Sequence, residues 1–205
     1  MNIWRERLSR WFTPLARRSP LSPNAISVIA LALNVVAAAC LYLGGRTPLL
    51  FLVAIVFVTL GGIADALDGI VARVQAKESR YGDFLDHVLD RISDLLLAAG
   101  WILGNGVREE LALAAIAATM LNAYVGTQLE ATYHERNYES VGRGEFLLAL
   151  VVYPIVSYIL ATNGWRGLGG AGLTIADWMT VAMIVFALFG VVQRFALGAR
   201  MERRS

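Results

Sequence analysis

Residues 49–64 read LLFLVAIVFVTLGGIA, without one charged side chain. Continued to about residue 75, the run exceeds the roughly 20 apolar residues that cross a bilayer. Hydrocarbon offers no partner to backbone N–H and C=O groups, so a span of this kind is expected to be helical. Five more stretches have the same character, at residues 24–44, 82–104, 108–133, 145–162 and 174–198. The chain has 205 residues, of which 17% are charged, against roughly a quarter in soluble domains. The expectation is therefore an all-α integral membrane protein with six transmembrane helices, forming one domain over residues 1–205. A formal net charge of +2 argues against a nucleic-acid partner. The single cysteine, Cys40, lies in an apolar run and reads as a small core residue.

The first eighteen residues, MNIWRERLSRWFTPLARR, have no continuous apolar core and do not resemble a cleavable signal. Ile3, Trp4, Leu8, Trp11, Phe12 and Leu15 fall on one helical face, with Arg5, Arg7, Arg10, Arg17 and Arg18 elsewhere. That pattern predicts an amphipathic helix lying in the headgroup layer against membrane lipids. Basic residues then set the orientation. With the N-terminus inside, fifteen of the eighteen Lys and Arg residues fall on the cytoplasmic side, and only Arg46, Arg108 and Arg166 fall outside. The expected protein is a multi-pass cell (inner) membrane protein with both termini cytoplasmic. The segment NGWRGLGGAGLT at 163–174 reads as an outer loop.

The same count places a very different stretch at the cytoplasmic boundary. DALDGIVARVQAKESRYGDFLDHVLDRISD, residues 65–94, carries seven acidic residues between two greasy runs. At 100° per residue, Asp65, Asp68, Gly69, Ala72 and Arg73 occupy one arc of about 140° on the second span. Gly82, Asp86 and Asp90 share a face of the third, and Ser93 and Asp94 continue it. The short connection makes the two spans antiparallel neighbours, so the acidic faces are expected to meet. A carboxylate at membrane depth costs about 2.5–3.5 kcal/mol even on the lenient insertion scale, and like charges nearby raise that cost. Protons or cations could relieve it. Oxygen-only ligands favour hard ions, Mg²⁺ or Mn²⁺, and four aspartates suffice for two ions, an arrangement suited to displacement at phosphorus.

The small residues fit that reading. Gly69 follows Asp68 where a side chain would block approach to the ions, and Ala72 lies one turn further on the same face. Gly82 opens the third span, where helix N-terminal N–H groups suit a phosphate. Arg73 could hold a phosphate or orient an aspartate. Lys77, Glu78, Arg80 and Asp83 read as solvated loop charges, His87 as structural, and Asp94 as either part of the acidic face or a partner of Arg91.

The pattern D65-x-x-D68-G69-x-x-A72-R73-x8-G82-x-x-x-D86-x-x-x-D90 resembles the signature of the CDP-alcohol phosphatidyltransferases at every fixed position. The segment LSPNAIS at 21–27 is similar to the start of that family's first helix. The resemblance implies transfer of a phosphatidyl or archaetidyl group from a CDP-linked lipid to a small alcohol acceptor, with release of CMP. It implies that Asp65, Asp68 and Asp86 hold two divalent metals. Asp90 would contribute to the metal site and act catalytically by deprotonating the acceptor hydroxyl. Asp65, Asp68, Gly69, Ala72, Arg73 and Gly82 would form the CDP site, and the protein would be a homodimer.

The ending LDHVLDRISD at 85–94 resembles the inositol-phosphate-using branch. Arg143 and Arg194 resemble basic residues that hold the acceptor's phosphate there; ordinary positive-inside topology would also account for them. That branch often carries a lysine after Tyr124, where this chain reads VGTQ. Glycerol phosphate or serine therefore stand as alternative acceptors, and a divalent-cation transporter as the alternative from another class.

Overall fold

The computed structural model of the chain describes residues 12–14, 16–133, 143–167 and 169–203, with the backbone alone for 143–148. Six long helices follow one another: α1 Pro23–Leu43, α2 Leu49–Val74, α3 Arg80–Asn105, α4 Glu109–Tyr133, α5 Arg143–Thr162 and α6 Ile175–Glu202. Between α5 and α6 lies a small antiparallel hairpin, β1 Gly169–Gly170 with β2 Leu173–Thr174. Its turn carries Ala171 and Gly172 at φ 55° and 72°, the positive values that a tight two-residue hairpin demands. Of the helices, α1, α2, α4 and α6 are long and apolar enough to cross a membrane by length and composition. In α3 the early acidic residues dilute that character, and in α5 the described apolar stretch is shorter, at Ala149–Thr162. The expected headgroup helix falls largely on residues 1–11 and 15, outside the described residues; 12–14 and 16–18 are helical.

Local chemistry explains the boundaries. Ser22 caps α1 by accepting a hydrogen bond from the Ala25 N–H at 3.2 Å, with Pro23 at the first helical position, where proline loses no intrahelical bond. Ser79 caps α3 in the same way through the Gly82 N–H at 3.0 Å. Gly106 ends α3 in the left-handed conformation, φ 64°, which glycine adopts without steric cost. Thr174 and Asp177 cap α6 reciprocally.

The packing order departs from the sequence expectation in one respect. The two acid-bearing helices, α2 and α3, do not pack closely along each other; α1 packs against both, with α5 on α2, α4 on α3 and α6 on α4. The physical reason lies in α3. A Cβ placed on Gly100 would stand 2.5 Å from the Ala38 carbonyl oxygen, so the bare glycine face of α3 lets the α1 backbone come closer than any side chain permits. The core follows that contact, from Ala37, Ala38 and Leu41 on α1 through Phe51 and Ala54 on α2 to Trp101 and Ile102 on α3. Trp101 Nε1 donates to Ser157 Oγ of α5 at 2.9 Å, which satisfies the indole inside an apolar interior.

Both ends of the bundle are tied by polar contacts to backbone carbonyls. At one end Arg166 lies 5.9 Å over the Phe51 ring and donates to the Gly44 and Gly45 oxygens beyond α1. Arg108 donates to the Gly172 oxygen, and its backbone N–H donates to Asp177. At the other end the Gln75 amide donates to the Ala16 and Ser19 oxygens at 3.0 and 3.1 Å. That bond holds Ala16, 1% exposed, against Ile26, Ala30, Ile70 and Val71.

Replacing Gly100 by alanine should push α1 off α3 and destabilise the protein by about 1–3 kcal/mol. The readout is the melting temperature in detergent. An unchanged melting point would show that the α1–α3 separation is not set at this glycine.

Candidate active site

At the Gln75 end of the bundle, α2 and α3 leave a space between them that α1 closes from one side. Asp65 and Asp68 lie one turn apart on α2, and Asp86 reaches across from α3. One ligand oxygen from each of the three lies within 4.8 Å of the others. Opposed oxygens around a magnesium ion stand about 4.2 Å apart, so small rotamer adjustments would bring this all-oxygen set onto a hard divalent cation. Asp65, Asp86 and Asp90 line a cavity of about 100 Å³. Asp90, one turn beyond Asp86, borders the same cavity but stands outside the close trio of ligand oxygens.

Asp68 is the most enclosed of these acids, at 6% exposure. Ser27 Oγ of α1 donates to Asp68 Oδ2 at 2.5 Å. A charge-assisted bond of this kind fixes one oxygen and leaves the other to turn toward Asp65 and Asp86. Sequence reasoning placed Ser27 only in a helix-start motif and missed this contact. The local signal is a hydroxyl one turn inside an apolar span, which needs a partner, but which helix supplies it depends on packing.

The other expected site residues divide by location. Gly69 lies beside the Arg73 guanidinium: a Cβ there would have Arg73 Nη1 at 3.5 Å as its nearest neighbour. Ala72 is half-buried on the same helix, and Arg73 is exposed. Gly82 corrects one element of the sequence reading. Its N–H is engaged by the Ser79 hydroxyl and is not a free donor. A Cβ on Gly82 would stand 3.1 Å from Ser79 Oγ and 3.3 Å from Asn24 Oδ1, so glycine admits the start of α1 against the start of α3. His87 Nδ1 lies 2.8 Å from the Asp83 carbonyl oxygen within its own helix. Asp94 both lines the cavity and pairs with Arg91 at 3.3 Å.

Arg194 is half-buried on α6. Its guanidinium donates to both the backbone and side-chain oxygens of Asn122 on α4. A Cβ on Gly126 would stand 3.0 Å from the Arg194 Cζ, so the absence of a side chain there makes room for the guanidinium. Arg91 is close enough to act on it electrostatically. Arg143 opens α5, and its side chain lies outside the described residues.

Comparison with known proteins agrees with this arrangement. Residues 20–192 match the CDP-alcohol phosphatidyltransferase family. An archaetidylinositol phosphate synthase of Pyrococcus horikoshii is 30% identical over 169 residues, covering 81% of this chain and 82% of that protein. One from Aeropyrum pernix is 32% identical over 186 residues, covering 88% of this chain and 89% of its own. The crystal structure of Mycobacterium tuberculosis phosphatidylinositol phosphate synthase in complex with manganese and citrate shares the fold, with a TM-score of 0.66 at 22% identity, covering 91% of this chain and 88% of that one. The chain belongs to the CDP-alcohol phosphatidyltransferase family. It is a membrane transferase of phospholipid synthesis that takes its phosphatidyl-type group from a CDP-linked lipid and passes it to an alcohol. Family and acidic trio together define a divalent-metal site.

Ser27→Ala should leave Asp68 buried without its donor and weaken metal binding by about 10–100-fold. Titration with Mn²⁺, followed by its paramagnetic resonance signal, measures this, and Ser27→Thr should preserve affinity. Equal Mn²⁺ affinity in the alanine variant would show that Asp68 is ordered by something else.

Proposed function

We propose that the acceptor is inositol phosphate and that the product is a phosphorylated inositol lipid. The observation that carries the transferase chemistry is the meeting of Asp65, Asp68 and Asp86, with Asp90 on the same cavity wall. The acceptor rests on the relatives' activities and on Arg194, a half-buried cation held by Asn122. Its planar fork bonds Asn122 through Nη1 alone, and a fork of this kind suits phosphate. Arg143 is proposed as a second contact with that phosphate.

In the reaction the acceptor hydroxyl attacks the lipid-bearing phosphorus of the CDP-lipid. A new P–O bond forms to the acceptor, the P–O bond to CMP breaks, and the hydroxyl proton passes to the Asp90 carboxylate. Two divalent ions, Mg²⁺ or Mn²⁺, held by Asp65, Asp68 and Asp86 with a contribution from Asp90, would neutralise the pyrophosphate charge when bound. Asp65, Asp68, Gly69, Ala72, Arg73 and Gly82 form the CDP side of the site, where Gly69 leaves space next to the Arg73 guanidinium. Nucleotide and acceptor are water-soluble while the lipid tails need hydrocarbon, which favours a site at the membrane boundary. The charge count makes that the cytoplasmic face of the cell membrane, with all six helices spanning, residues 1–205 as one domain, and two copies forming a homodimer.

The test is CMP release from CDP-diacylglycerol with inositol phosphate, glycerol phosphate or serine in turn. Inositol phosphate should give the highest kcat/KM. Arg194→Ala should raise KM for inositol phosphate by about tenfold or more, in line with losing hydrogen bonds to a charged group, while KM for the CDP-lipid stays unchanged. Highest turnover with serine would overturn the phosphorylated acceptor, and an Arg194→Ala effect shared equally by every acceptor would remove Arg194 from the phosphate site.

A further inference from the structure

The cavity does not stop at the carboxylates. From Asp65 it continues one turn along α2 to Gly61, and its far walls are Val58, Leu97 and Leu150. This arm extends from the acids toward the Arg166 end of the bundle, into the hydrocarbon-spanning part of the helices. Three polar side chains on its wall, Asn34, Ser93 and Asp94, take no part in the chemistry above. Asn34 lies in the middle of α1, in the run LALNVV. Its amide lines the cavity and finds no hydrogen-bond partner among the described residues. A Cβ on Gly61 would stand 2.5 Å from Asn34 Oδ1, so the bare glycine is what lets the amide lie there. An amide at this depth is costly unless something bonds to it.

The geometry points to a subsite for the donor lipid's ester linkage, with the Asn34 amide donating to an acyl carbonyl oxygen. Three observations select this ligand. Gly61 precedes Asp65 by four residues, which places Asn34 about 6 Å deeper than that acid. In a diacyl lipid the first ester carbonyl lies only a few bonds below the phosphate. The amide stands over the apolar Val58, Leu97 and Leu150, with Ser93 and Asp94 on the α3 side, so one wall of the arm suits an alkyl chain headed by a carbonyl that the amide can bond. The arm also leads from the acids into the membrane-spanning part of the helices, and of the two substrates only the lipid extends into the bilayer. An ether-linked lipid has no carbonyl to offer, so Asn34 makes the enzyme prefer acyl over alkyl donors. The inference rests on the phosphatidyl-transfer reading of the site.

The experiment compares CDP-diacylglycerol with its dialkyl ether counterpart of matched chain length, using the full-length protein in nanodiscs at saturating inositol phosphate. The wild-type protein should favour the ester donor by roughly three- to tenfold in kcat/KM, the value of one hydrogen bond to a neutral group. Asn34→Leu should abolish the preference by losing activity on the ester donor alone. Gly61→Ala, which displaces the amide, should act in the same direction and carries the test if Asn34→Leu does not fold. Equal wild-type use of both donors would overturn the proposal, as would an Asn34→Leu loss shared by both donors or expressed only in the acceptor's KM. Donor-induced thermal stabilisation repeats the ester–ether comparison without turnover. A protein that binds both CDP-lipids but releases no CMP would sink the transfer reading and still decide this one.

Discussion

Several carboxylates must be held at one membrane boundary without either dispersing or collapsing, and the architecture answers that constraint first. Like charges at close range repel strongly in a medium poorer than water in dielectric screening. Two acid-bearing helices packed face to face would also leave no room for a cation or substrate between them. Here α1 packs on both α2 and α3 and takes the close contact itself. The acids then reach toward one another across a space and do not share a packed seam. Their ligand oxygens end up within 4.8 Å, near enough to share a cation and far enough to need one.

That spacing is only as firm as the seat of α1. Along its length the seat is backbone against glycine, with Ala38 facing Gly100. At one end Arg166 hooks the carbonyls beyond α1 and covers Phe51. At the other, Ser27 bonds directly to Asp68, and Asn24 lies against Gly82 at the start of α3. The helix that carries none of the acids therefore touches both halves of the acidic motif. Polar side chains on α1 sit where they meet site groups, which reconciles them with a span otherwise built from aliphatic residues.

Much of the fold was legible because membrane helices announce themselves locally. The start of α1 could be read from Ser22-Pro23, and the acid-bearing faces of α2 and α3 from helical spacing, since both depend on neighbours a few residues away. In the sequence the hairpin of Ala171 and Gly172 reads only as loop, its two-residue strands being too short for any alternation to register. The short connection makes α2 and α3 antiparallel neighbours, but chain proximity does not determine helix contact when a third helix fits more closely. The Gly82 N–H is taken by the hydroxyl of Ser79 three residues earlier, a local cap that competes with any ligand for that donor. The Arg194–Asn122 contact, the Gln75 bonds to Ala16 and Ser19, and the Asn34–Gly61 approach each join residues distant in sequence, so no local pattern could report them.

By itself, then, the amino-acid order determined what could be settled by composition and by period: a membrane chain of apolar helices, its charge asymmetry, and an eight-position acidic signature spaced to put its groups on helical faces. Tertiary structure decided which helix those faces look at, which oxygens come close enough to share an ion, and which polar side chains outside the motif support them. The division follows from range. A helix and its caps are satisfied within about four residues along the chain, whereas a cavity exists only where separate helices are held apart, and that separation is a property of their packing.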